Sequence, residues 1–199
     1  MIIEKSSPPK DHATRYSLPA TSGLYIHIPF CLQRCAYCDF ASYALNALPN
    51  GLSFGSYADA LIKEARLAAK ERGAPRFSTL YFGGGTPSLM PLDELRRVVA
   101  ALRESFNVSQ IEEFTLEANP DTLDGEKLAS WRELGVNRLS LGIQSLSDTS
   151  LKELERSYSR EEALGALARH RAELAAFDLS FDLLLNIPWQ NPSQVLDDI

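Results

Sequence analysis

From Leu24 onward, short β-type runs and helical patterns follow one another in strict alternation, and nothing else in the chain limits its fold so narrowly. "LYIHIPF" leads to a helix predicted from about Tyr57 to Arg72. "STLYFGGG" leads to one over Leu92 to Ser105, where Leu92, Leu95, Val99 and Leu102 recur at helical spacing among charged residues. "EEFTLEANP" precedes a helix near Gly125 to Leu134, "NRLSLGIQ" precedes helical sequence from about Ser147 to Ala175, and "FDLSFDLLLNIP" precedes a last segment, "SQVLDDI". Strand and helix in this order require parallel strands joined by right-handed crossovers, so the fold class is α/β, either a doubly wound sheet or a (β/α) barrel. Five such units are present. The pattern breaks off at Ile199 without a helix stop signal, so a sixth unit and a longer protein are expected. Residues 1–22 read as a flexible polar tail and 23–199 as one core domain.

Composition limits what such a fold can serve. The net charge of -6 gives no long-range attraction for nucleic acid or an anionic membrane, and no local basic patch offsets it. No apolar run reaches the roughly 18 residues that a membrane span needs. Lys5, Pro8, Pro9, Lys10 and Asp11 interrupt the N-terminus where a signal peptide would be apolar. A cytoplasmic protein without transmembrane segment or nucleic-acid partner is expected.

All three cysteines, Cys31, Cys35 and Cys38, fall in "CLQRCAYC", directly after the first strand. Structural zinc takes four protein ligands, and the nearby candidate for a fourth is His27. A redox pair of Cys35 and Cys38 leaves Cys31 unexplained. Three thiolates suit a [4Fe–4S] cluster, because a cubane held at three corners keeps one iron open for a ligand that is not protein. An open iron can chelate the amino and carboxylate groups of S-adenosylmethionine, whose carbon–sulfur bond one electron then cleaves.

The motif "CLQRCAYC" resembles the cluster motif of radical S-adenosylmethionine enzymes. Taken with "YIHIPFC", "YFGGGTPS", "LEANP" and "SLGIQS", the chain from Gly23 to its end resembles the oxygen-independent coproporphyrinogen III oxidase family and its heme-chaperone branch. The resemblance implies a partial (β/α)6 radical-SAM barrel, with Cys31, Cys35 and Cys38 ligating one [4Fe–4S] cluster and S-adenosylmethionine bound beside it.

Further site residues follow from the same resemblance. Gly83, Gly84, Gly85 and Thr86 form the loop implied to hold the methionine amino group; read without it, three glycines could serve a tight turn, although three exceed what a turn demands. Glu117 and Gln144 stand at the carboxyl ends of strands, where βα barrels assemble their sites, and each could otherwise be a solvated strand-end residue. Arg156 matches an arginine that pairs with the methionine carboxylate; by position alone it reads as a helix-surface charge among Lys152, Glu153 and Glu155. Asp182 matches an aspartate expected to contact ribose or Gln144, and as a buried carboxylate in an apolar strand it needs a partner. Tyr25 and Phe40 are expected to pack against cluster and ligand, and His27 to be structural.

Three residues depart from the family pattern. Asn186 and Trp189 replace glycines after the fifth strand, where an indole is expected to narrow the pocket, and Tyr158 replaces a histidine two residues after Arg156. Two functions share such a site. One is a heme chaperone that hands heme to an acceptor protein, and the other is oxidative decarboxylation of a porphyrinogen propionate. Phe40 stands where the oxidase branch carries a fourth cysteine, which favours the chaperone. A zinc-stabilised structural domain is the third reading.

Overall fold

The computed structural model describes residues 22–72, 76–188 and 190–199. The expected N-terminal tail, apart from Ser22, and Trp189 lie outside the described residues.

Five parallel strands form the main sheet in chain order: β1 (Gly23–Ile28), β4 (Thr79–Gly84), β5 (Glu113–Ala118), β6 (Arg138–Gln144) and β7 (Asp178–Leu183). Two two-residue strands, β2 (Phe30–Cys31) and β3 (Tyr43–Ala44), pair with each other and bracket the cysteine loop. Helices α1 (Phe54–Arg72), α2 (Leu92–Ser105) and α3 (Gly125–Glu133) connect the first four main strands. Within the main sheet each strand neighbours the next one in chain order, and all four pairings are parallel, so each connection crosses over. Among the described residues the sheet is a partial barrel, not closed, with β1 and β7 as its outermost strands.

The alternation within each strand sorts side chains onto two faces. Leu24, Ile26, Ile28, Leu80, Phe82, Phe114, Leu116, Leu139, Leu141 and Ile143 are buried outward, against Leu61 of α1, Leu95 and Val99 of α2 and Leu128 and Trp131 of α3. The register aligns Tyr25 with Tyr81, Tyr81 with Thr115 and Thr115 with Arg138 across the other, polar face.

The helical sequence expected from about Ser147 to Ala175 forms three helices: α4 (Asp148–Glu153), α5 (Arg160–Arg169) and α6 (Arg171–Leu174). The break at 154–159 has a local cause. Glu155 adopts a left-handed φ of 53°, and Ser159 restarts the chain as an N-cap, exchanging hydrogen bonds with Glu162. A seven-residue helix, α7 (Pro192–Asp198), closes the described fold. No helix among the described residues is long and apolar enough to cross a membrane.

Candidate functional site

The carboxyl ends of the strands and the cysteine loop enclose one hollow of about 140 Å³, lined by Cys31, Cys35, Cys38, Phe40, Gly84, Gly85, Thr86, Glu117, Gln144, Arg156 and Asp182. Eleven of the thirteen residues expected at the site therefore meet. Tyr25 and Gly83 do not line the hollow. The Tyr25 hydroxyl bonds His27 Nδ1 at 3.1 Å and its ring stacks on Tyr81, so it supports the floor.

The cysteine loop is anchored from below. His27 Nε2 bonds the carbonyl of Ala41 at 2.8 Å, which with the Tyr25 contact engages both ring nitrogens within the protein. Gly85 N and Thr86 N donate to the carbonyls of Ile28 and Phe30, stitching the glycine loop to the cysteine loop. Here the glycines have an intramolecular reason. Gly84 has φ 118°, and a Cβ on it would stand 2.4 Å from the His27 ring; one on Gly85 would stand 3.0 Å from Cys31 Sγ. With Gly84 N donating to Glu117, the amides of Gly84, Gly85 and Thr86 are all engaged, so carbonyl oxygen is what this loop can offer a ligand.

The three thiols are free. Burial pushes the Cys31 thiol up, against hydrogen bonds from Thr86 and Ser42 that pull it down; ligation to a metal would deprotonate it outright. No three His, Cys, Asp or Glu side chains among the described residues stand close enough to share a single metal ion. The thiols border a common hollow without meeting at a point. That spread fits a cubane, whose thiolates bind separate corners, better than one zinc ion.

Arg156 is not on a helix surface. It lies in the break between α4 and α5, where Nη1 donates to Cys35 Sγ at 3.2 Å and Nη2 to Asn119 Oδ1 at 2.8 Å. Nε and Nη2 also donate to the Tyr158 hydroxyl at 3.1 and 2.8 Å, and that hydroxyl donates to the carbonyl of Gly142. Burial raises the Tyr158 phenol to about 12 despite the opposing pull of Arg156, so it keeps its proton at neutral pH. The tyrosine that departs from the family pattern thus braces the guanidinium.

Glu117 receives Tyr81 Oη at 2.7 Å and Gly84 N at 3.0 Å, and burial raises its carboxyl against both of these bonds. Asp182, on the last described strand, is exposed and not buried, and its partner among the described residues is not Gln144 but Ser140, whose hydroxyl reaches both carboxylate oxygens at 3.1 and 3.0 Å. Gln144 takes a left-handed φ of 66° at the strand end. Asn186 takes 62°, which asparagine tolerates where the family pattern has glycine. The expected narrowing by Trp189 falls outside the described residues.

Sequence reasoning missed Asn119, Tyr37, Ser140 and Tyr81. Tyr37 lies between the second and third cysteines and lines the hollow, and Asn119 follows Glu117 by two residues. The alternation of polar residues along β5 and β6 was the available signal for Ser140.

Residues 25–199 match the model of the radical SAM superfamily. The chain is 39% identical over 174 residues to the mouse radical S-adenosyl methionine domain-containing protein 1, mitochondrial, covering 87% of this chain and 38% of that protein. It is 34% identical over 182 residues to the heme chaperone HemW of Escherichia coli K12, covering 92% and 47%. The solved structure of coproporphyrinogen III oxidase (HemN) from Escherichia coli superposes with a TM-score of 0.78 at 28% identity, over 92% of this chain and 42% of that one. The chain spans less than half the length of these relatives. With three thiols on the loop after the first strand of a partial α/β barrel, and a family match across nearly all of it, the chain belongs to the radical SAM superfamily and is related to HemW and HemN.

Proposed function

We propose that this chain is the S-adenosylmethionine-binding part of a heme chaperone, with Cys31, Cys35 and Cys38 holding a [4Fe–4S] cluster. The observation that carries the reading is the single hollow where three free thiols face an arginine, a glycine loop and polar strand ends. When bound, the cluster supplies an electron and an open iron, the chemistry that cleaves S-adenosylmethionine to a 5′-deoxyadenosyl radical. The protein's own part is to bind and orient. Arg156, braced by Asn119 and Tyr158, pairs with the methionine carboxylate, a task suited to a guanidinium fork. The glycine loop offers carbonyl oxygen to the ammonium group. Glu117, Gln144 and Asp182 serve the hydroxyl-bearing half.

For the chaperone role, support comes from relatives named heme chaperone and from Phe40, 66% exposed at the mouth, where the oxidase branch carries cysteine. Heme is then the cargo, an acceptor protein the partner and the cytoplasm the compartment. The oxidase reading is favoured by the likeness to HemN. A cluster-loaded, full-length protein given reductant and S-adenosylmethionine under anaerobic conditions decides between them. The chaperone reading expects heme binding by titration without turnover, and sustained conversion of coproporphyrinogen III to its divinyl product overturns it.

A further inference from the structure

Helix α7 has one buried residue, and it is a carboxylate, Asp198. What it delivers is an acceptor. Asp198 Oδ2 accepts from Ser145 Oγ at 2.8 Å and Oδ1 from Leu146 N at 2.5 Å, and Gln190 Nε2 approaches Oδ2 at 3.5 Å. Ser145 Oγ in turn accepts from Ser147 N, the N-cap of α4, and Gln190 Oε1 accepts from Ile187 N. One carboxylate therefore gathers the segments that leave β6 and β7.

The residue just before this clasp is Gln144. Its left-handed backbone is disfavoured for any residue with a Cβ, and the β6–β7 register shifts between Gly142 and Gln144. Such a conformation persists only where its surroundings determine it. Leu184 N holds the Gln144 carbonyl at 2.9 Å, and Asp198 fixes the next two residues. We infer that Asp198 is a positioning residue that locks the turn after β6 and so aims the Gln144 side chain into the hollow. The inference rests on the proposed S-adenosylmethionine site. An acceptor-only carboxylate suits three converging donors; an asparagine there must turn an amide N–H against one of them.

The test uses full-length, anaerobically reconstituted protein and calorimetric titration with S-adenosylmethionine and with methionine, which lacks the ribose assigned to Gln144. Asp198→Asn and Gln144→Ala are each expected to weaken S-adenosylmethionine about tenfold, the scale of one lost buried hydrogen bond, with the double variant no weaker than either. Methionine affinity and iron and sulfide content stay at wild-type levels, and amide exchange at Leu146 quickens. Ser145→Ala, which removes one arm of the clasp, carries the test if Asp198→Asn does not fold and is expected to shift affinity in the same direction. Additive effects, an equal loss of methionine affinity, or unchanged exchange at Leu146 overturn the clasp while wild-type binding stands. Wild-type protein that binds no S-adenosylmethionine overturns the proposed function, and the role of Asp198 with it.

Discussion

The outward face of the sheet and its inward face are built from the same strands, one residue apart, by opposite rules. Outward, Leu116, Leu139 and Leu141 are fully buried against helices, and burial itself is the stabilising interaction. Inward, Tyr81, Glu117, Arg138, Ser140, Ser180 and Asp182 face one another through hydrogen bonds: Arg138 donates to Thr115 and Ser180, Ser140 to Asp182, Tyr81 to Glu117. The outward face secures the fold, and the inward face leads up to the hollow. A change on the first should cost stability, and a change on the second should cost binding.

The largest expected effect lies on the apolar face. Leu139→Ala should destabilise the protein by about 3 kcal/mol, the usual size for a core leucine truncation, read from denaturant midpoints. If stability holds while binding falls, the division between faces is wrong. Next in size is Arg156→Leu, which removes a cation and its charge-assisted bonds. S-adenosylmethionine affinity should fall on the order of a hundredfold with cluster content unchanged, and an unchanged calorimetric affinity would return Arg156 to a structural role. Tyr158→Phe is smaller. It leaves the Gly142 carbonyl without the phenol and Arg156 with Asn119 but without its second brace, so about 1 to 2 kcal/mol of stability should go, with binding weakened several-fold. A loss confined to stability would separate Tyr158 from the site.

The smallest effect is a pH dependence on the polar face. Burial raises the Glu117 carboxyl above its ordinary value, so the folded state holds that proton more tightly than the unfolded chain. Its contribution is full below the ordinary carboxylate range and is lost as pH rises through the raised value. The stability of wild type relative to Glu117→Gln should therefore shrink as pH rises above the ordinary carboxylate range, about pH 4, in cluster-free protein. Growth of that difference with pH would show that the hydrogen bonds from Tyr81 and Gly84 outweigh burial.

The two faces also differed in how far the sequence revealed them. Alternating βα patterns and the Leu92, Leu95, Val99, Leu102 stripe anticipated the parallel sheet and α2 with its bounds, because burial repeats with the period of the backbone. The cysteine spacing pointed to the loop that borders the hollow. What the pattern could not carry was contact between distant segments. Ser145 and Asp198 are 53 residues apart, and Asp198 sits in a short helix whose polar residues look solvated. The break near Glu155 was missed although Ser159 and Glu162 spell a capping box in the sequence; the left-handed turn at Glu155 has no comparable signal in its residue type. Asp182 was expected to be buried because its neighbours are apolar, whereas it is exposed among the described residues, with Ser140 as its partner.

The central claim is that Cys31, Cys35 and Cys38 hold one cubane whose open iron takes S-adenosylmethionine. The most direct test is iron and acid-labile sulfide analysis of anaerobically reconstituted full-length protein, followed by electron paramagnetic resonance of the reduced sample with and without S-adenosylmethionine. The account predicts about four irons and four sulfides per chain, lost on replacing any of the three cysteines with alanine, and a reduced-cluster signal that shifts when S-adenosylmethionine is added. Zinc in place of iron, a cysteine variant that keeps the full cluster, or a signal indifferent to S-adenosylmethionine would contradict it.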